Sequence, residues 1–160
     1  MTRRRKPPRL FYLEEEKIMI DYEQLVAGMG DGVVVCDAGG AIVGWNAAAT
    51  RIFGFTPEDA MGKSLDIIIP ERQRQRHWDG YNKTMETGVT RYGSDLLRVP
   101  ALHKEGKPLS IAFTVAMLHA PDGKVSAIVA VVRDETARWN EERALKARVR
   151  ELEGQAAPSV

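Results

Sequence analysis

The sequence predicts an α+β fold, an antiparallel β-sheet with helices covering one face. Three observations carry this. Two short β-branched runs, Val33 to Asp37 and Ala41 to Trp45, are joined by the turn Ala38-Gly39-Gly40. From Asn46 to Thr87 the spacing and capping residues are helical. After Gly88 the chain reads as strand and turn only, and each late connection is short enough for a hairpin, which makes neighbouring strands antiparallel.

Residues 1–9 include Arg3, Arg4, Arg5, Lys6 and Arg9 and read as a solvated basic tail. Residues 10–30 have helical spacing through Leu13, Ile18, Ile20, Leu25 and Val26, with acids Glu14 to Glu16 in the expected first turn. Gly28-Met29-Gly30-Asp31-Gly32 ends that flanking helix. The expected central domain is 31–134. Within it, Asn46 caps a helix over Ala47 to Phe53 that Gly54 stops. Thr56-Pro57-Glu58-Asp59 starts a second helix, with a Thr cap, Pro in the first helical position and acids in the first turn. Leu65, Ile67, Ile68 and Ile69 lead to Pro70, after which a longer helix runs from Glu71 to about Thr87. One long strand is expected from Thr90 to Leu102. The turn Lys104-Glu105-Gly106-Lys107 follows, then a strand in which Leu109, Ile111, Phe113, Val115 and Met117 share one face. Ala120-Pro121-Asp122-Gly123 turns into an apolar strand from Val125 to Val132. A charged helix is expected over 135–153 and a tail over 154–160.

Composition limits the function. The chain has 160 residues, 44% of them apolar and 28% charged, with 23 basic and 22 acidic residues for a net charge of +1. It is a globular composition, and the balanced charge gives no sequence-wide argument for nucleic acid. The single cysteine, Cys36, excludes an intramolecular disulfide framework and a cysteine zinc cluster, and suits a reducing cytoplasm. No apolar run approaches the ~20 residues of a membrane span. Neither a nucleophile triad nor a phosphate-cradling glycine loop is visible, so no enzyme activity is expected.

The long helix carries the informative pattern. His77, Tyr81 and Met85 are spaced i, i+4, i+8 and form one stripe, with Trp78 beside it. A histidine aimed at the apolar side of a charged helix has two readings: a core residue with one ring nitrogen bonded to a carbonyl, or a ligand.

Together these motifs resemble the PAS domain over about residues 20 to 140. The resemblance rests on Asp37-Ala38-Gly39-Gly40, Trp45-Asn46-Ala47-Ala48, the stretch Phe53 to Lys63, His103-Lys104-Glu105-Gly106-Lys107, and Val132-Arg133-Asp134-Glu135-Thr136. It implies a five-stranded antiparallel sheet with a small-molecule pocket under its helices, flanked by N- and C-terminal helices. The long helix is similar to that of the heme-binding PAS domains of FixL-type oxygen-sensor kinases. His77 falls on the position that supplies the iron ligand there, and a neutral imidazole suits heme iron. By the same resemblance, Lys83 and Arg91 lie near positions that meet the heme propionates. Phe113 and Val115 lie on the strand positions that wall the distal side. Tyr81 and Met85 share the stripe of His77.

One departure is informative. Counting back from Gly106, the position of the family's oxygen-bonding arginine holds Leu97, and its neighbour Arg98 points the other way in a strand. The expected distal pocket is therefore apolar, which leaves the gas open among oxygen, carbon monoxide and nitric oxide, with redox state as a further signal. Met117 and His119 are candidates for a sixth iron ligand by residue type alone. A flavin adduct is disfavoured because Cys36 lies in the first strand. The resemblance thus implies a cytoplasmic, heme b-containing gas sensor in signal transduction. The alternative is a cofactor-free PAS dimerisation and interaction module. The final helix places Leu145, Val149 and Leu152 at i, i+4, i+7, a seam of about one and a half heptads. With the N-terminal helix it is expected to form a homodimer interface and to meet a downstream signalling protein. Neither nucleic acid nor membrane is an expected partner. The sequence leaves open a stand-alone module or a piece of a longer protein.

Overall fold

A computed structural model describes residues 19–90 and 93–156. Among these, five strands form one antiparallel sheet: β1 (Gly32–Asp37), β2 (Ile42–Trp45), β3 (Leu97–Leu102), β4 (Pro108–His119) and β5 (Val125–Asp134). The order across the sheet is β2-β1-β5-β4-β3, so β2 and β3 are its edges. Helices α1 (Tyr22–Gly28), α2 (Ala47–Phe53), α3 (Pro57–Ala60), α4 (Glu71–Thr87) and α5 (Thr136–Ala156) accompany it, with a 3-10 turn at Leu65–Ile68. The core lies between one sheet face and the helices from α2 to α4. It contains Val34, Cys36, Ile42, Ala49, Phe53, Ile68, Tyr81, Ala101, Ile111 and Val132.

Local chemistry explains these elements. Asn46 caps α2 by accepting from Ala49 N, and Thr56 caps α3 by accepting from Asp59 N. Gly54 closes α2 at φ +80, and a Cβ there would stand 2.4 Å from Nε2 of His103. The β3–β4 hairpin therefore seats on the end of α2. Lys104 fastens it, donating its N–H to Phe53 O (2.8 Å) and pairing its Nζ with Asp59 (2.6 Å).

The alternation expected in β4 is present. Leu97 pairs with Phe113, Val99 with Ile111 and Ala101 with Leu109, all on the core-facing side. Val115 and Met117 continue that face opposite Ala130 and Ile128 of β5. Pro100 sits in edge strand β3 opposite Ser110. Ser110 donates its N–H to Thr136 Oγ1 (3.0 Å), and its carbonyl accepts from Glu135 N (2.8 Å), both away from β3. The donor that proline lacks would therefore point out of the sheet, at the free edge.

Four boundaries differ from the sequence expectation by two residues or more. The strand expected from Thr90 begins only at Leu97, because Gly93 (φ +52) and Ser94 form a turn. The N-terminal helix occupies only Tyr22–Gly28 among the described residues: Met19 and Ile20 are non-helical, and Asp21 caps α1 by accepting from Glu23 N and Gln24 N (both 3.0 Å). Residues 1–18, including the basic tail and Glu14 to Glu16, lie outside the described residues. β5 runs two residues past Val132. The final helix extends past 153 to Ala156, so Gly154 to Ala156 belong to α5, while 157–160 lie outside the described residues.

Candidate functional site

Helix α4 lies over the sheet with its His77–Trp78–Tyr81–Met85 face inward. The rings form one cluster: His77 and Trp78 are 4.7 Å apart edge to face, Trp78 and Tyr81 5.3 Å, and His77 and Tyr81 5.8 Å. Trp78 fixes the helix laterally. Its Nε1 donates to Asp66 Oδ1 (2.8 Å), and its ring occupies the place a side chain on Gly40 would take, 2.3 Å from a built Cβ at φ +83. Arg74 adds two bonds, from Nε to Ile69 O (3.1 Å) and from Nη2 to Asp66 O (3.2 Å). Tyr81 is buried and its hydroxyl donates to Asp37 O.

Within this rigid frame His77 is anomalous. Its Nδ1 is buried and has no hydrogen-bond partner among the described residues. Such an atom ordinarily finds a carbonyl or water, and leaving it unpaired costs about 1–3 kcal/mol. Burial lowers the imidazole pKa below the ordinary 6.5, and Asp66 opposes this only in part. His77 is therefore held neutral, the form that can ligate a metal.

The other sequence-derived residues distribute as follows. Met85 packs against the core. Leu97, Phe113 and Val115 lie on the inner sheet face, and all three are half-buried. Arg98 lies on the opposite face, its Nε 3.1 Å from Glu135. Met117 is on the inner face, while His119 is exposed at the end of β4 beyond a register shift. Lys83 is exposed and makes no ion pair among the described residues. Arg91 lies outside the described residues. Cys36 is on the inner face of β1, its thiol pushed up to about 12 chiefly by burial, so it is not a thiolate near neutrality.

Sequence reasoning missed Asp66, Arg74 and the full role of Asn46. Asn46 is buried and satisfies four groups. Oδ1 accepts from Val33 N (2.8 Å) and Ala49 N (2.9 Å), and Nδ2 donates to Val26 O (3.0 Å) and Asp31 O (3.1 Å). Only the cap to Ala49, three residues on, has a sequence signature.

The orphaned Nδ1 of His77 is a nitrogen donor of the kind that ligates heme iron. No helix among the described residues is long and apolar enough to cross a membrane.

Comparison with known proteins agrees with the fold. Residues 20–134 match the family model of the PAS fold. A protein of Azorhizobium caulinodans is 35% identical over 117 residues, 72% of this chain and 16% of the relative. Sensor protein FixL of Bradyrhizobium diazoefficiens is 39% identical over 51 residues, 32% of this chain and 10% of FixL. Oxygen sensor protein DosP of Escherichia coli is 26% identical over 121 residues, 76% of this chain and 14% of DosP. The chain thus matches only a small part of each relative's length. Among solved structures, the PAS domain of a Colwellia psychrerythraea protein superposes with a TM-score of 0.64 at 19% identity, over 72% of this chain and 95% of that one. A sensory box histidine kinase/response regulator of Burkholderia thailandensis gives 0.59 at 18% identity, over 82% and 97%. At these identities the likeness concerns the fold.

Proposed function

The chain belongs to the PAS fold family, and on that premise we propose that it is a cytoplasmic, non-catalytic sensor module that binds heme b through His77. The signal is a diatomic gas, or the redox state of the iron, and it is relayed through the flanking helices. The observation that carries the cofactor is the buried Nδ1 of His77 without a partner. A histidine serving only the core would bond that nitrogen to a carbonyl. The likeness to FixL and DosP supports the same reading.

Heme would supply an iron centre that binds gas or changes oxidation state. The chain's own residues supply the rest. His77 stays neutral through burial. Asp66 and Arg74 hold α4, and with it the imidazole, in one orientation. Lys83 and Arg91 are the cations proposed for the propionates. Leu97, Phe113 and Val115 offer no hydrogen-bond donor to a gas. A charge-assisted hydrogen bond contributes about 1.5–3 kcal/mol, or roughly ten- to a hundredfold in affinity. A heme site walled by these residues would favour carbon monoxide over oxygen, and Leu97→Arg should shift the ratio toward oxygen. The deciding measurement is the visible spectrum of protein made with heme supplied. A Soret band that His77→Ala abolishes is expected; an unchanged spectrum in His77→Ala would overturn the assignment.

A second reading, a cofactor-free dimerisation and interaction module, is favoured by a separate observation. Leu145, Val149 and Leu152 of α5 are 66%, 51% and 48% exposed, and Tyr22 and Leu25 of α1 are exposed as well. A colourless protein that still dimerises would select this reading.

A further inference from the structure

We propose that Arg98, Glu135 and Arg138 form an ionic clasp through which the inner sheet face at Leu97 sets the direction of α5. Glu135 occupies the joint between β5 and α5. Its backbone N–H is bonded to Ser110 O of β4 (2.8 Å), and the next residue, Thr136, accepts from Ser110 N (3.0 Å). Asp134 Oδ1 completes the joint by accepting from Thr136 N (2.9 Å). The base of α5 is thus fastened to the main chain of β4.

The side chain of Glu135 reaches further. Only 14% of it is exposed, and it accepts from Arg98 Nε of β3 (3.1 Å) and from an Nη of Arg138 in α5. The second Nη of Arg138 pairs with Glu142 one turn on (2.6 Å). One carboxylate is therefore shared by an arginine of the edge strand and an arginine of the terminal helix. These two arginines, Arg138 foremost, hold its carboxyl below the usual range.

Leu97 and Arg98 are neighbours in a strand, so they face opposite sides and move together. Leu97 is opposite Phe113 on the inner face, and Arg98 is opposite Ala112 on the outer. Anything that displaces Leu97 also displaces the guanidinium that holds Glu135. The rest of α5 has little else to hold it: from Ala137 to Gln155 every residue is exposed except Glu142. At about 1.5 Å per residue the 21-residue helix is roughly 31 Å long, so a tilt of about 10° at the clasp moves its far end by about 5 Å.

The inference rests on α5 as the output element and does not depend on heme. Amide hydrogen exchange of the full chain tests it, read over residues 136–146. Leu97→Ala and Arg98→Met should each speed exchange there by about two- to fivefold, the range of an exposed ion pair. In the double variant the effect should be no larger than in Arg98→Met alone. Glu135→Gln, which keeps size and shape, should loosen both α5 and β3, while amides of β1 and α4 stay as in the parent and report an intact fold. Unchanged α5 exchange in Leu97→Ala, or an effect of Leu97→Ala that adds in full to that of Arg98→Met, would overturn the clasp. A chain that takes up no heme would sink the proposed cofactor and leave this test standing.

Discussion

The two ends of the domain differ in the side chain that holds the helix, although each also carries a contact of the other kind: Asp31 pairs with Arg133 at the entry (2.7 Å), and Ser110 bonds the main chain of Glu135 at the exit (2.8 Å). Where α1 enters, Asn46 fixes Val26 O and Asp31 O with a buried, uncharged amide whose four hydrogen bonds are all made inside the protein. Where α5 leaves, Glu135 is fixed by arginines that are 54% and 46% exposed. Buried neutral bonds are little affected by salt and expensive to break, because each orphaned group remains buried. Exposed ion pairs are weak, screened and readily remade. The entry is thus set once by folding, whereas the exit can be adjusted by small forces.

The sharpest way to break this comparison is Asn46→Ala. It removes a helix cap, typically about 1 kcal/mol, and strands Val33 N, Val26 O and Asp31 O. We expect a loss of about 3 kcal/mol, seen as a lower urea midpoint, and faster exchange in α1. A loss below about 1 kcal/mol would mean that water replaces the amide and that the entry is no firmer than the exit.

Gly40→Ala should come next. It combines an unfavourable left-handed φ with a clash against the Trp78 ring, and we expect about 1–3 kcal/mol. Trp78→Ala in the same chain should recover part of that loss if the ring is the obstacle.

The third test concerns pH in the heme-free chain. Burial lowers the folded-state pKa of His77. Below about 6.5 the unfolded chain takes up a proton that the folded chain refuses. Stability is therefore fully present above about 6.5 and falls as pH drops toward the lowered folded value, with a slope of at most about 1.4 kcal/mol per pH unit. His77→Phe, which keeps a ring beside Trp78 and Tyr81, should flatten that part of the profile; an unaltered profile would show that His77 is not the group responsible.

The smallest effect should come from salt. Raising ionic strength to about 1 M shortens the screening length to about 3 Å. Exchange in the first turns of α5 should then rise a few-fold, with α1 unchanged. Equal responses at both ends would erase the distinction.

The fold was largely legible where one residue decides locally. Asn46, Thr56 and Gly54 announce α2 and α3, and the period of two from Leu109 to Met117 puts those residues on one face of β4. Legibility failed where local signals competed. Val89 and Thr90 are β-branched and invite an early strand, but the Gly93–Ser94 turn delays β3 to Leu97. Asp21 is a helix cap inside what looks like one helical stretch, and it sets the start of α1 at Tyr22. Within the site, helical period alone put His77, Tyr81 and Met85 on one stripe. The Asp66–Trp78 bond spans 12 residues and the Arg98–Glu135 pair spans 37, and no spacing rule reaches that far. Such contacts are products of the tertiary fold.

Pro100 has a consequence for how the molecule meets its neighbours. An edge strand presents a row of hydrogen-bonding groups that can template a foreign strand. On β3 that row has a gap, because the donor facing outward at residue 100 is missing and the residue opposite is turned toward α5. A strand arriving at this edge would have to leave a carbonyl unpaired at the middle of its reach. The edge is thus blunted against sheet-to-sheet accretion at high concentration, and a Pro100→Thr chain should be the more prone to amyloid-like aggregation.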